Sequence, residues 1–176
     1  MINLRSLIAL ATKPLIAVIS LNLIAQTGKT ANRVNVTCDQ QAAIPKVIAT
    51  LSNQKTSQIT TILSFLPEYF SAQEASIECQ STAEKLNTFY NQGKMNYLAS
   101  DFIDEKPVVC AVERRGLGCD SYNSGILFSL SKPVSPTELL FNMLGDNFKG
   151  SKLPASRTVS RIYTDLRPQW WPFKKR

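Results

Sequence analysis

The sequence of 176 residues contains no histidine. This absence removes Ser-His-Asp and Cys-His catalytic pairs, and the side chain whose ordinary pKa lies closest to neutral pH. No two cysteines have the C-x-x-C spacing of zinc-ribbon, thioredoxin-like or haem-attachment sequences. The sequence also has no Walker loop and no Gly-x-Gly-x-x-Gly run. We therefore expect no cofactor, no metal and no catalytic activity.

Charged residues are also scarce, at 19% against 44% hydrophobic residues, which is the composition of a globular protein. The formal net charge of +7 comes from the C-terminal end, because residues 149–176 hold eight Lys or Arg side chains and a single acid, Asp165. Residues 27–148 hold ten basic and twelve acidic side chains. A nucleic-acid-binding domain usually carries its cations on a folded face, so we expect no nucleic-acid partner.

Residues 1–25 have the organisation of a secretory signal peptide. A short basic start at Arg5 precedes an apolar stretch over residues 15–25. An uncleaved anchor helix is the competing interpretation, but Arg5, Lys13 and Pro14 would make it a poor membrane span. We expect cleavage at the end of this segment and an exported protein, periplasmic or extracellular.

The four cysteines are Cys38, Cys79, Cys110 and Cys119. An even number of cysteines behind an export signal predicts two disulfides, whereas a cytosolic protein would keep four buried thiols. Three pairings are possible. We expect a bridge from Cys110 to Cys119, because only nine positions and a glycine-rich turn separate them, with Cys38 and Cys79 forming the other bridge.

Alternating or continuous apolar residues predict the strands. The predicted strands are 34–38, 46–51, 59–65, 95–102, 107–113, 126–130 and 159–166. Capping-box spacing at Ser71 and Glu74 begins a long helix that stops at Gly93, and a second helix runs from Ser135 to Gly145. This order predicts an α+β fold over residues 26–166, with a mainly antiparallel sheet packed by two helices.

Four segments resemble the cyanobacterial circadian oscillating protein family. They are the helical segment 79–93, Met-Asn-Tyr-Leu at 95–98, Pro-Val-Val-Cys at 107–110 and Ile-Leu-Phe-Ser-Leu at 126–130. The likeness extends over residues 33–166. It implies an exported protein peripheral to the membrane, with rhythmic abundance and no known enzymatic activity.

Two functions of different classes remain open. The first is a non-catalytic binding or structural module with an unknown partner in the cell envelope. The second is a small envelope hydrolase that works with a pair of carboxylates. Its candidate acids are Asp101, Asp104, Glu105, Glu113 and Asp120. Because most of them fall in predicted turns, where acids are commonly solvated or paired with nearby arginines, we favour the first.

Residues 167–176 form a tail that holds both tryptophans of the chain beside a cationic end. The candidate contact residues are Trp170, Trp171, Phe173, Lys174, Lys175 and Arg176. Indole rings and cations together suit an anionic membrane surface. Two further interpretations stay open, because the aromatic side chains could equally pack into the core or anchor a protein partner.

Overall fold

The structure is a computed structural model that describes residues 33–52, 57–93, 96–149 and 162–167. The predicted signal peptide and the tail beyond Arg167 lie outside these residues, as does the first part of the last predicted strand. Within the described ranges the chain forms seven strands and two helices in the order βββαβββαβ.

The strands form two antiparallel sheets. The strands are β1 (Arg33–Asp39), β2 (Lys46–Ser52), β3 (Ser57–Ser64), β4 (Tyr97–Ile103), β5 (Lys106–Val112), β6 (Gly125–Ser129) and β7 (Tyr163–Asp165), and the helices are α1 (Ala72–Gln92) and α2 (Pro136–Met143). One sheet has the order β1-β2-β3 and the other β6-β5-β4-β7. The predicted α+β class, with antiparallel strands, two helices and two disulfides, is confirmed.

Helix α1 begins and ends where the sequence predicts. The Glu74 amide N–H donates to Ser71 Oγ at 3.3 Å, and Glu74 Oε2 accepts from the Ser71 amide N–H at 2.9 Å. Gly93 ends the helix in the left-handed region, with φ of 64°. Between these ends one stripe is buried, and it consists of Ala75, Cys79, Thr82, Ala83 and Leu86. The stripe lies against β1, β2 and β6, so α1 contacts strands of both sheets.

Helix α2 ends differently from the prediction. Its last residue is Met143, and Leu144 is already extended, so Gly145 does not cap the helix. Instead the Gly145 amide N–H donates to the Ile62 carbonyl oxygen at 3.0 Å. A β-carbon at Gly145 would lie 2.0 Å from the carbonyl oxygen of Thr61. Gly145 is therefore required because the chain passes unusually close to β3.

One large core contains residues from both sheets and both helices. Val47 and Ile62 contribute from the first sheet, Val109 from the second, Leu86 from α1 and Leu139 from α2, and all five are fully buried. Three aromatic rings join distant parts of this core. Phe65, Phe70 and Phe128 have ring centroids 5.2 to 5.7 Å apart.

A second, smaller cluster covers the opposite face of the four-stranded sheet. Its buried members are Ala99, Val108, Cys110, Val112 and Cys119. Within the described residues no helix packs on this face, and the loop that follows β5 supplies Cys119 and Leu117 instead. The four-stranded sheet is thus buried on both faces by different kinds of structure.

The β4–β5 hairpin turns through Asp104 and Glu105, at the predicted position. Both residues have positive φ, 49° and 61°, as the central pair of a type I′ turn requires. Asparagine and glycine tolerate this conformation, whereas a longer side chain such as glutamate is strained in it.

We expect Glu105→Gly to stabilise the protein by about 0.5–1 kcal/mol, because glycine adopts a positive φ without steric cost. Chemical denaturation under non-reducing conditions measures the change. Glu105→Ala is the matched control, since it removes the charge and keeps the strain. An equal gain in both variants would assign the effect to the carboxylate and contradict this account.

Gly145→Ala should destabilise the protein by about 2 kcal/mol, because the new methyl group forces the backbone after α2 away from β3. Gly93→Asn is the control. It also replaces a glycine, but a β-carbon there meets nothing within 4 Å, and asparagine tolerates the left-handed conformation. If the two variants unfold at the same denaturant concentration, the close contact with Thr61 is not the reason for Gly145.

Candidate contact surface around Tyr97

The first disulfide ties an edge strand to the long helix. Cys38 in β1 and Cys79 in α1 are bridged, with their Cα atoms 5.6 Å apart. A hydrogen bond reinforces the same contact, because the Val36 amide N–H donates to Asn87 Oδ1 at 3.2 Å. Strand β1 is thereby held against α1 by a covalent bond and a polar contact as well as by apolar packing.

The second disulfide folds a loop onto the four-stranded sheet. Cys110 lies in the middle of β5, and its partner Cys119 lies in the loop that follows, with Cα atoms 5.5 Å apart. The loop is held at two further points. Ser124 Oγ donates to the Cys119 carbonyl oxygen at 2.5 Å, and Tyr163 Oη donates to the Leu117 carbonyl oxygen at 3.0 Å. This bridged loop, residues 110–119, therefore has a defined position next to β7.

Tyr97 lies where the bridged loop meets the C-terminal end of β7. The Arg115 guanidinium carbon, from the loop, is 5.4 Å from the centroid of the Tyr97 ring, and that of Arg167 is 5.0 Å away. Arg167 Nη2 also donates to Tyr97 Oη at 2.6 Å. Cations over an aromatic ring are attracted by its quadrupole, so the two arginines and Tyr97 form one cluster.

Asp165 holds Arg167 in this cluster. Its carboxylate accepts hydrogen bonds from Arg167 Nε at 3.0 Å and from Nη2 at 2.8 Å. This two-point contact, together with the negative charge, raises the pKa of the Arg167 guanidinium. Arg167, the first residue of the tail, is thus oriented by the side chains of Asp165 and Tyr97.

The segment that carries Arg167 is anchored from α1 as well. Tyr90 Oη donates to the Leu166 carbonyl oxygen at 2.5 Å, and the Leu166 amide N–H donates to the Asn96 carbonyl oxygen at 2.8 Å. Burial raises the pKa of the Tyr90 hydroxyl, so this donor stays protonated. Strand β7 is short, but hydrogen bonds hold it from two directions.

The acids considered for hydrolysis lie in the β4–β5 hairpin and in the loop that follows β5. Asp104 and Glu105 form the turn before β5, and Glu113 follows the last residue of β5. A strand of seven residues lies between them, which is roughly 20 Å or more. Asp101 Oδ1 accepts a hydrogen bond from the Phe102 amide N–H, and Asp120 is exposed in the loop after the second bridge. In the described part of the chain, no three His, Cys, Asp or Glu side chains are placed to hold a metal ion.

The expected salt pairing around Arg114 and Arg115 is not found. Among the described residues the only ion pair with both partners defined joins Arg167 to Asp165, and Arg115 instead faces Tyr97. No local sequence pattern predicts this contact, because Tyr97 lies far from Arg115 and Arg167 along the chain. Neither α1 nor α2 is long and apolar enough to cross a membrane.

A family model described as circadian oscillating protein COP23 matches residues 35–170. The chain belongs to this family. No curated protein and no solved structure matches the chain. The resemblance inferred from the helical segment and the cysteine-bearing strands is therefore confirmed.

The COP23 match includes both disulfides, the Tyr97 cluster and every described strand and helix from residue 35 onward. It ends at Trp170, the first tryptophan of the tail. Trp171, Phe173 and the cations from Lys174 to Arg176 follow the matched region. The matched region thus covers the folded part of the chain and the start of the tail.

Both bridges should contribute to stability, the long one more. Closing loops with sequence separations of 41 and 9 stabilises by about 4 and about 2.7 kcal/mol in the chain-entropy model. We expect Cys38→Ala/Cys79→Ala to lower the free energy of unfolding more than Cys110→Ala/Cys119→Ala. Each pair is the control for the other, and non-reducing peptide mapping checks the pairing first. Four free thiols in protein from its native compartment would contradict the bridged structure.

Proposed function

We propose that the chain is an exported, non-catalytic protein of the cell envelope that binds an anionic membrane surface peripherally. The contact is made by the basic region that begins at Lys149, and β7 attaches this region to the folded part. The observation that carries the proposal is the position of β7, a firmly held edge strand with a basic segment on either side.

The basic segments adjoin β7 directly in the sequence. Residues 149–161 contain four basic side chains and no acid, and residues 167–176 contain four more and no acid. Cations near an anionic leaflet contribute about 1 kcal/mol each, which is enough in sum for reversible binding. The tryptophans of the tail add a preference for the headgroup region.

The Tyr97 cluster supports a membrane contact at the β7 edge of the four-stranded sheet. Arg114 and Arg115 are exposed on the loop beside β7, so they add positive charge at the edge from which the tail departs. Arg167, the first residue of the tail, is held at this edge by Asp165 and Tyr97. A membrane surface would then meet one edge of the four-stranded sheet.

The chemistry of the chain favours binding over catalysis. It contains no histidine, and the whole length of β5 separates Glu113 from Asp104 and Glu105. Carboxylate pairs that hydrolyse glycosidic bonds lie about 5–10 Å apart, a much shorter distance than the length of this strand. Two disulfides are typical of proteins that work in an oxidising compartment, which supports export.

Co-sedimentation with vesicles tests the proposal. Protein expressed from its full coding sequence should bind vesicles containing phosphatidylglycerol at low salt, and bind little to phosphatidylcholine vesicles. Replacing Lys174, Lys175 and Arg176 by glutamine should weaken binding roughly 100-fold, since three cations are lost. A chain that ends at Arg167 should bind even less, because the indole rings are also removed.

The control replaces Lys55, Lys94 and Lys106 by glutamine, which changes the net charge equally outside the basic region. We expect this variant to keep most of its affinity. Binding that is absent from anionic vesicles, or that persists after truncation at Arg167, would refute a membrane role for the tail.

A further inference from the structure

A polar cleft of about 400 Å³ opens at the edge of the three-stranded sheet. Its walls come from β3, from the start of β2 and from the turn after α2. The side chains with polar groups that matter here are Lys46, Thr60, Ser64, Asn142, Asp146 and Lys149. The volume lies within the range of small-molecule sites, and polar groups line most of the cleft.

The wall formed by the turn after α2 is firmly attached to β3. Leu144 forms an antiparallel bridge with Leu63, and the adjacent Gly145 fits closely against Thr61. The Gly145 carbonyl oxygen accepts from the amide N–H groups of Phe148 at 2.8 Å and Lys149 at 3.1 Å. The backbone of Lys149 is therefore placed by hydrogen bonds, and the cleft exists before any ligand binds.

The charged groups of the cleft lack partners in the described part of the chain. Lys46 and Lys149 are half-buried, and neither their ammonium groups nor the Asp146 carboxylate forms an ion pair or a side-chain hydrogen bond there. Asp39 stands directly across from Lys46 in β1, but its carboxylate accepts from the Gln41 amide N–H. Two cations and one acid leave the cleft with a net positive charge.

Neutral groups complete the lining. Asn142 Nδ2 donates to Tyr69 Oη at 2.8 Å, which orients the Asn142 amide at the cleft. Burial raises the pKa of the Tyr69 hydroxyl, which keeps it neutral beside this amide. Thr60 and Ser64 add hydroxyl groups from β3, one of them close to the Lys46 end, because Ser64 pairs with Lys46 across the strands.

We infer that this cleft binds a small, hydroxyl-rich anion, of the class of sugar phosphates and sugar acids. The anionic group is held by Lys46 and Lys149 through charge-assisted hydrogen bonds. Thr60, Ser64 and Asn142 take the hydroxyl groups, whose donors and acceptors match theirs. The site shares Lys149 with the basic region of the proposed membrane contact, but its other residues come from β2, β3, α2 and the turn after α2, whereas β7 belongs to the other sheet.

Titration followed by ¹⁵N–¹H NMR tests the inference on protein expressed from its full coding sequence. The probes are glucose 6-phosphate, glucuronate, glucose and inorganic phosphate. We expect glucose 6-phosphate or glucuronate to shift amide signals of residues 59–64 and 142–149, and to bind more tightly than glucose or phosphate. The stronger of the two anions shows whether the site prefers a phosphate or a carboxylate.

Lys46→Gln/Lys149→Gln should weaken binding of the preferred probe at least about tenfold, because each charge-assisted hydrogen bond contributes strongly to binding. Lys106→Gln is the control, since Lys106 lies in the other sheet beside the hairpin turn. Equal affinity for glucose, shifts spread evenly over the surface, no response, or unchanged affinity in the double variant would each overturn the inference. Lys149 remains in every vesicle experiment above, so the two proposals can fail separately.

Discussion

Helix α1 lies between strands that belong to different sheets, and its buried stripe holds them around a single core. Cys79, Ala83 and Leu86 on this stripe are all almost completely buried. The helix contacts β1 and β2 of one sheet and β6 of the other, and the bridge from Cys79 to Cys38 makes the contact with β1 covalent. A fully buried leucine side chain contributes about 1.5–3 kcal/mol by removal from water. Because the free energy of unfolding of a protein is small in total, the stripe makes a large contribution to it. Without it, the apolar side chains of β1, β2 and β6 that face the helix would be exposed to water.

The four-stranded sheet has a second apolar face, and the chain covers it with few residues. The bridged loop supplies Leu117 and Cys119, where many α+β proteins would place a helix. A short loop packs little apolar surface, so its position depends on the disulfide and on hydrogen bonds from Ser124 and Tyr163. The same loop brings Arg115 to Tyr97. The covering of the core and the proposed contact surface are therefore consequences of one local arrangement.

The two proposed sites lie at sheet edges, where backbone and side chains are accessible. At β7 the edge strand is short, and Tyr90 and Asn96 hold the segment that leads to the tail. At β3 the turn after α2 covers only part of the edge, and the uncovered part forms the cleft with Lys46 and Lys149. Unpaired strand edges can form hydrogen bonds with strands of other molecules, so short strands, charged groups and covering turns are common there. In this protein the groups that protect the edges are also suited to bind anions.

Features that depend on neighbouring residues could be predicted from the amino-acid sequence alone. Capping groups at Ser71 and Glu74 and a terminal glycine at Gly93 set the bounds of α1, because they satisfy backbone groups within one turn. Alternating apolar residues located the strands, and short separation selected Cys110 and Cys119 as partners. The cysteine-bearing segments were also sufficient to indicate the family. All of these signals act over a few residues or recur in a fixed order.

The way in which distant segments meet became clear only from the folded structure. It divided the strands into two sheets, since pairing across long separations leaves no local pattern in the sequence. Gly145 shows what a local pattern cannot predict. A glycine after a helix suggests a helix cap, but here it permits close contact with Thr61, more than 80 residues earlier. The approach of Arg115 and Arg167 to Tyr97 likewise requires three separate elements to be in place. Such contacts follow from packing, because burial of the whole core selects which surfaces lie together.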